Sequence, residues 1–403
     1  MAIQTSEAKT RKGMQVHLRT YAIVIALAGI WLLFGLLTHW LFLDPRNLSN
    51  LLRQMTIESF LAIGMVLVIV TGNIDLSVGS ATGLVSVVVA SLQYFVLHPL
   101  LAHLLPGVPT VTLGILNTVM AVIAGLLFGL LIGVYQGALI AYLKIPAFIV
   151  TLGGMLIFRG GVLAITQGKT ISPLETSMAF IAQGYIPDPI GWALAVIVVA
   201  AIIFFALHNR SKRRDFGFAP VPLGRDLIKV VITSALVIFF VFIMNSYRGI
   251  PNPVMLMGIV AVIFTYITNH TKFGRYAFAL GGNREATRLS GININRLVFI
   301  VFILIGLMTG VSGVVLTGYV AAGTVGGGLN YELEAIAACV IGGTSLMGGE
   351  GTIIGALVGM LIMSSILNGM SVMDMGVFWQ YIVRGIVLIG AVYIDVTSKR
   401  SRE

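Results

Sequence analysis

Residues 58–80 read ESFLAIGMVLVIVTGNIDLSVGS: an acidic start at Glu58, an apolar stretch through Val70, a polar turn broken by Gly72, and a second apolar run from Val78. A carboxylate at the centre of a membrane span costs about 3 kcal/mol to insert. Asn73, Asp75 and Ser77 therefore need a protein interior, a water-filled cavity or the cytoplasmic boundary around them, because irregular backbone is not tolerated against lipid. A turn of this kind implies further helices packed about it. Two roles for Asp75 stay open at this point: capping the free N–H groups of the helix that starts near Leu76, or direct contact with a substrate or gate.

The rest of the chain supplies those helices. Its 403 residues are 58% hydrophobic and only 10% charged, with a mean hydropathy of +1.00, far too apolar for a water-soluble domain. Apolar runs of about 20 residues, enough to cross a hydrocarbon core about 30 Å thick, recur along the chain. They fall at 20–42, 56–72, 77–97, 112–143, 147–167, 190–207, 229–246, 253–269, 298–322, 334–347, 352–370 and 377–396. The expected fold is all-α, a polytopic transmembrane bundle of twelve spans that forms one domain over residues 20–397 between tails at 1–19 and 398–403. The first run is too long for a signal-peptide core and stays as a span.

A formal charge of +10 raises the question of nucleic acid, but the basic residues sit in short clusters between apolar runs and form no RNA- or DNA-binding motif. They report topology instead. The N-terminal cluster (Lys9, Arg11, Lys12, Arg19), Arg210–Lys229, Lys272–Arg296 and Lys399–Arg402 are separated pairwise by even numbers of spans. Both termini and the loops 208–229 and 270–297 are accordingly expected in the cytoplasm. The single cysteine, Cys339, lies in an apolar run and reads as a small buried side chain.

Glycines at 114, 125, 129, 133 and 137 give the long run 112–143 small-xxx-small spacing, which lets helix backbones approach closely in lipid. A tightly packed core helix is expected there, with a broken helix as the second reading. The opening stretch also has a weak echo. ELEAIAACVIGGTSLMGGE from Glu332 repeats the acidic start, the apolar half-span and the glycine-broken polar turn, and both copies run from outside inward in this topology. The repeat is thus parallel, as in transporters whose halves are related by an axis along the membrane normal.

The second copy lacks the Lys-Ser or Lys-Thr that a phosphate loop requires. Asn330, Glu332 and Glu334 form the most acidic spot near a span entrance, behind a Gly323–Gly328 loop that reads as mobile. Carboxylates two apart on a helix point to different faces, so an extracellular-mouth or helix-end role is expected of them. Arg159, Asn368, Asp374, Gln380 and Arg384 are isolated polar residues in or near spans, and His39, His98 and His103 show no metal-site spacing. No nucleophile elbow, zinc-protease helix or paired-cysteine motif is present. The chain is not expected to be an enzyme or to hold a metal or cofactor.

The long polar segment of the second half, FGRYAFALGGNREATRLSGININ at 273–295, reads as an Asn283 cap, a short helix and a stop at Gly291. Arg284 and Arg288 fall one turn apart. On composition, a basic helix lying on anionic lipid and a helix docking on a soluble partner look alike.

A resemblance separates them. The strings GNIDLSVGS (72–80), PAFIVTLGGMLIFRG (146–160), FGRYAFALGGNREATRLSGIN (273–293) and YELEAIAACVIGGTSLMGGEGTIIGALVGMLIM (331–363) resemble, in that order, the permease subunits of bacterial ABC importers for monosaccharides, the ribose, galactose and xylose group. The resemblance extends from about Asn47 to Asp395. It implies a multi-pass inner-membrane protein that works as a homodimer. Its partners would be a separate ATPase subunit carrying ATP and Mg²⁺ and a periplasmic sugar-binding protein. It also implies that Gly281, Gly282, Asn283, Arg284, Glu285, Ala286, Arg288, Leu289 and Gly291 form the element that couples to the ATPase. The extra basic stretch and apolar run between Ile190 and Val254 resemble the xylose branch, so D-xylose or a similar pentose is the implied cargo. Asn73, Asp75, Ser77, Asn330, Glu332, Glu334 and Asn368 are the candidate pathway residues. The competing reading is an ion-coupled secondary transporter of small polar solutes, which would require intramembrane carboxylates.

Overall fold

The computed structural model describes residues 23–215 and 222–400. In chain order the helices are α1 (Ile23–Leu37), α2 (Pro45–Val70), α3 (Val78–Leu104), α4 (Thr110–Ala141), α5 (Ala147–Thr166), α6 (Thr176–Gln183), α7 (Asp188–Asp215) and α8 (Leu223–Asn245). They continue as α9 (Asn252–His270), α10 (Lys272–Gly282), α11 (Arg284–Leu289), α12 (Ile294–Val320), α13 (Tyr331–Ile341), α14 (Ile353–Val372) and α15 (Val377–Arg400). Two short strands, β1 (Tyr185–Ile186) and β2 (Ile250–Pro251), pair antiparallel.

Helix α2 forms the centre. Asp44 caps its start through Oδ1, which accepts from the Arg46 N–H at 2.9 Å, Pro45 occupies the first turn, and Gly72 at φ +77° ends it. Its apolar side chains pack with those of α12, α13 and α14 in one core that includes Leu67, Phe302, Ile305, Cys339 and Met360. Helix α4 is one unbroken helix of 32 residues. Its glycines meet those of α12: a Cβ on Gly129 would stand 2.5 Å from Gly310 Cα, and one on Gly306 would stand 2.6 Å from Gly133 Cα. Backbone contact between helices takes the place of side-chain burial here, since apolar side chains gain little by leaving lipid for another helix.

Among the described residues ten helices are long and apolar enough to cross a membrane. Two of the twelve expected runs differ. The first leaves a 15-residue helix, Ile23–Leu37, and its beginning lies outside the described residues. The run 334–347 is helical only as α13, 11 residues and so about 16 Å long. The segment ahead of α13 folds back into the bundle: Gly323 exchanges backbone hydrogen bonds with Ile171 at 2.9 and 3.0 Å, and Gly327 and Gly328 lie against Gly83 and Gly79. Far from a mobile loop, this stretch is wedged along α3 by glycines that admit close approach. It sets Tyr331 deep in the bundle.

The basic stretch expected as a loop at 208–229 is helical where it is described. α7 continues through Lys212, Arg213 and Arg214 to Asp215, and α8 begins at Leu223, so helix occupies both sides. Arg210 Nη1 reaches Asp226 Oδ2 across the hairpin at 3.3 Å. The α7–α8 pair is peripheral and anchors through Leu48, Ala195, Val241, Met244, Ile250 and Val254. The tails 1–19 and 398–403 lie wholly or largely outside the described residues.

Candidate functional site

The polar end of the bundle is built by α10 and α11. Thr271 Oγ1 accepts from Gly274 N at 3.2 Å and Asn283 Oδ1 from Ala286 N at 2.9 Å, so each helix carries its own cap. Ser290 and then Gly291, at φ +79°, end α11. On its exposed face Arg288 Nη2 donates to Glu285 Oε1 at 2.6 Å and Nε donates to Oε2 at 3.1 Å, a forked pair that holds the Glu285 carboxyl below its ordinary value. Arg284 does not act with Arg288. It lines a cavity of 190 Å³ with Asn73, Lys144 and Asn295. Leu289 is 74% exposed and Met347 77% exposed, large apolar groups at an end that is otherwise polar.

That end is wired directly to the core. A Cβ on Gly281 would collide with Val70 O and stand 2.5 Å from Gly349 N, while Gly349 N donates to Val70 O at 2.9 Å. The last turn of α10 thus touches both the end of α2 and the glycine turn between α13 and α14. Only a hydrogen fits at position 281.

The turn that opened the sequence reading is a local hydrogen-bonded knot. Asp75 Oδ1 accepts from Ser77 N at 2.8 Å and from Ser77 Oγ at 2.7 Å, and Gln136 Nε2 of α4 donates to Ser77 Oγ at 2.7 Å. Asp75 and Ser77 are each 1% exposed. This geometry orders the backbone just ahead of α3, which starts at Val78 rather than Leu76. Asn73 bonds Thr71 at the edge of the 190 Å³ cavity.

Of the two roles expected of Glu332 and Glu334, the helix end holds: both lie in the first turn of α13, inside the bundle rather than at a mouth. Twelve residues separate Glu58 from Val70, about 18 Å of helix, and the Glu58 carboxyl lies against that of Glu334. The group therefore sits well inside the bundle. Glu334, only 2% exposed, places Oε1 2.7 Å from Arg384 Nη1 of α15. Arg384 lines two cavities: one of 230 Å³ with Asn330, Glu334 and Tyr381, and one of 290 Å³ with Glu58, Tyr319, Tyr331, Asn368 and Gln380. Asn368 exchanges amide hydrogen bonds with Asn47 at 2.8 and 3.2 Å. Glu332 faces Gly79 and the charges of Asp75 and Arg159.

The seven expected pathway residues accordingly divide. Asn73, Asp75 and Ser77 lie on the turn side, toward α11, whereas Asn330, Glu334 and Asn368 line the deep cavities, with Glu332 between. The reading of single residues passed over Glu58, Arg384, Gln136 and Tyr331 as site members. A signal was available for Arg384, a charge well inside the run 377–396, a placement that costs free energy and needs a partner; Glu58 stands at the start of its run, where nothing marks its depth.

The chain matches, over residues 47–392, the family described as branched-chain amino acid transport system / permease component. It is 40% identical over 385 residues to the xylose transport system permease protein XylH of Haemophilus influenzae, covering 96% of this chain and 98% of that one. The Escherichia coli K12 protein of the same name is 40% identical over 96% of this chain and 93% of its own length. The ribose import permease protein RbsC of Escherichia coli K12 is 35% identical over 88% of this chain and 87% of its own. No solved structure matches it significantly.

Proposed function

Since the chain belongs to the branched-chain amino acid transport system / permease component family, we propose, from its xylose and ribose relatives, that it carries a monosaccharide across the bacterial inner membrane. It is a multi-pass permease subunit of a sugar importer, with D-xylose or a similar pentose as cargo. The chain supplies the path and no covalent chemistry. ATP and Mg²⁺ belong to a separate ATPase subunit, a periplasmic binding protein delivers the sugar, and a second copy of the chain completes a homodimer. Both termini, α10 and α11 face the cytoplasm.

In this reading Gly281 to Gly291 bear on the ATPase. The observation that carries it is the packing of Gly281 against Val70 and Gly349, because a push on α11 is delivered to α2 and to the α13–α14 turn without an intervening side chain. Leu289 presents an exposed apolar group beside Arg288, and burying it against a partner would remove apolar surface from water. Asn73, Asp75, Ser77, Asn330, Glu332, Glu334 and Asn368 line or frame the path, where a neutral sugar needs a few weak hydrogen bonds.

Deleting residues 283–290, or exchanging Glu285→Lys, is expected to abolish co-purification of the ATPase while membrane insertion persists. Unchanged co-purification would refute the docking assignment. Intramembrane carboxyls, buried at Glu334 and half-buried at Glu58, are what an ion-coupled carrier would also use, and one measurement decides between the two. In proteoliposomes holding the assembled complex, D-xylose uptake is expected to require ATP and to survive an uncoupler.

A further inference from the structure

The two deep cavities hold a chemistry that the helix packing leaves unspent. Glu334 is 2% exposed; the Glu58 carboxyl lies against its own, Arg384 Nη1 stands 2.7 Å from its Oε1, and Arg384 Nε is buried with no hydrogen-bond acceptor. Arg384 lines both the 230 and the 290 Å³ cavities, with Glu334 in the first and Glu58 in the second. A buried ion pair is tolerated only when its remaining acceptors and donors are also satisfied. A hydroxyl group does this from one oxygen: it donates to a carboxylate and accepts from a guanidinium.

We propose that Glu58, Glu334 and Arg384, with Asn368 and Gln380, form a hydroxyl-binding subsite for an uncharged polyhydroxy ligand of pentose size, and that this set rejects sugar acids and sugar phosphates. The inference rests on the permease reading above and names the place in the path where the sugar is held. Two carboxyls face one guanidinium, so an anionic ligand finds no free counter-charge. At 290 Å³ the cavity lies at the small end of ligand pockets, about 300–1,000 Å³, as a small ligand requires. Tyr319 and Tyr331 line the same cavity and offer ring faces to the C–H surface of a sugar. The Asn368 amide, bonded to Asn47, and the Gln380 amide, bonded to Met375 O, each keep a second N–H and a free oxygen lone pair for a hydroxyl.

The test uses the assembled complex in proteoliposomes, with D-xylose as the probe. Glu58→Gln keeps the side-chain volume and replaces the carboxyl that faces Glu334 with an amide. Sugar moved per ATP hydrolysed is expected to fall about tenfold, the loss of one hydrogen bond, with the ATPase still co-purifying. An unchanged ratio overturns the subsite. If wild-type complex moves sugar without ATP, the permease reading fails instead, and a second measurement on membranes still decides the subsite. Asn368→Cys is labelled with a charged, membrane-impermeant thiol reagent against a background in which the native Cys339 is buried. D-xylose is expected to slow labelling and D-glucuronate to leave it unchanged. Equal protection by both sugars, or by neither, or no labelling at all, would refute the assignment.

Discussion

Two carboxylate–arginine pairs of nearly equal length sit at opposite depths of this molecule. Glu285 and Arg288 meet at 2.6 Å with side chains 63% and 64% exposed; Glu334 and Arg384 meet at 2.7 Å with side chains 2% and 27% exposed. The contacts are alike, and the environments assign them different work. At the α11 surface, water and salt screen the pair, so it contributes little to the fold and is free to be read by a partner. Deep between α2, α13 and α15, the charges have been taken out of water, and each depends on the other and on whatever polar atoms enter the cavities beside them. On the function proposed above, the same chemistry would serve recognition in one place and the containment of a polar path in the other.

Removing one member of the deep pair is the strongest way to break that contrast. Arg384→Met leaves Glu334 as a buried, uncompensated charge and is expected to destabilise the protein by about 3–5 kcal/mol, read as a lower unfolding temperature in detergent. Adding Glu334→Gln should restore part of the loss, since a neutral amide no longer needs the cation. A double variant as unstable as Arg384→Met alone would mean that the pair is not the source of the effect.

Gly281 joins the two regions, and its replacement tests whether they communicate. The Cβ of Gly281→Ala would force apart Val70 and Gly349, an overpacking cost of about 1–3 kcal/mol. The expected phenotype is loss of the stimulation of ATP hydrolysis by sugar-loaded binding protein, with the ATPase still bound. Stimulation that persists would show that force reaches α2 by another route. A smaller effect is expected at the neighbouring turn. Gly72 has φ +77° and open space around it, so Gly72→Ala incurs only the backbone term, about 1–2 kcal/mol. Asp75→Asn keeps an acceptor oxygen for Ser77 and should cost less. A larger transport loss from Asp75→Asn than from Gly72→Ala would move Asp75 from a capping role to the path itself.

How much of this was legible follows from how local each feature is. The Asn283 cap and the Gly291 stop are set by residues within one turn, and the pattern NREATRLSG carries them. The glycine register of α4 was readable for the same reason, although its partners Gly306 and Gly310 were not. The deep cluster was illegible because Glu58 meets Glu334 and Arg384 across most of the chain, and no spacing encodes which charged residues share a cavity. In sequence α13 reads as a full span because Ala335–Ile341 is unbroken apolar and Leu346 and Met347 resume after the glycine turn. Its start is fixed by the packing of 323–328 along α3, which is a tertiary fact. The basic stretch 208–229 was read as a loop from its charge, whereas Lys and Arg are good helix formers and prolong a helix beyond the membrane readily.

The smallest effect is expected at the exposed pair, and it sharpens the comparison by its absence. Glu285→Gln should leave the unfolding temperature of the isolated permease unchanged, because the pair it breaks is solvated. In the wild type the Arg288 hydrogen bonds lower the Glu285 pKa. The pair's small contribution is therefore fully present above the unfolded carboxylate value of about 4.3 and is lost only as pH falls through the lower folded value. Between neutrality and that value, neither stability nor ATPase association should vary on account of Glu285. Raising salt, by contrast, should weaken association with the wild type more than with Glu285→Gln, since screening acts on a charge the variant lacks. Equal salt dependence in the two proteins would remove Glu285 from the contact and leave Leu289 and the glycine-packed end of α10 to carry it.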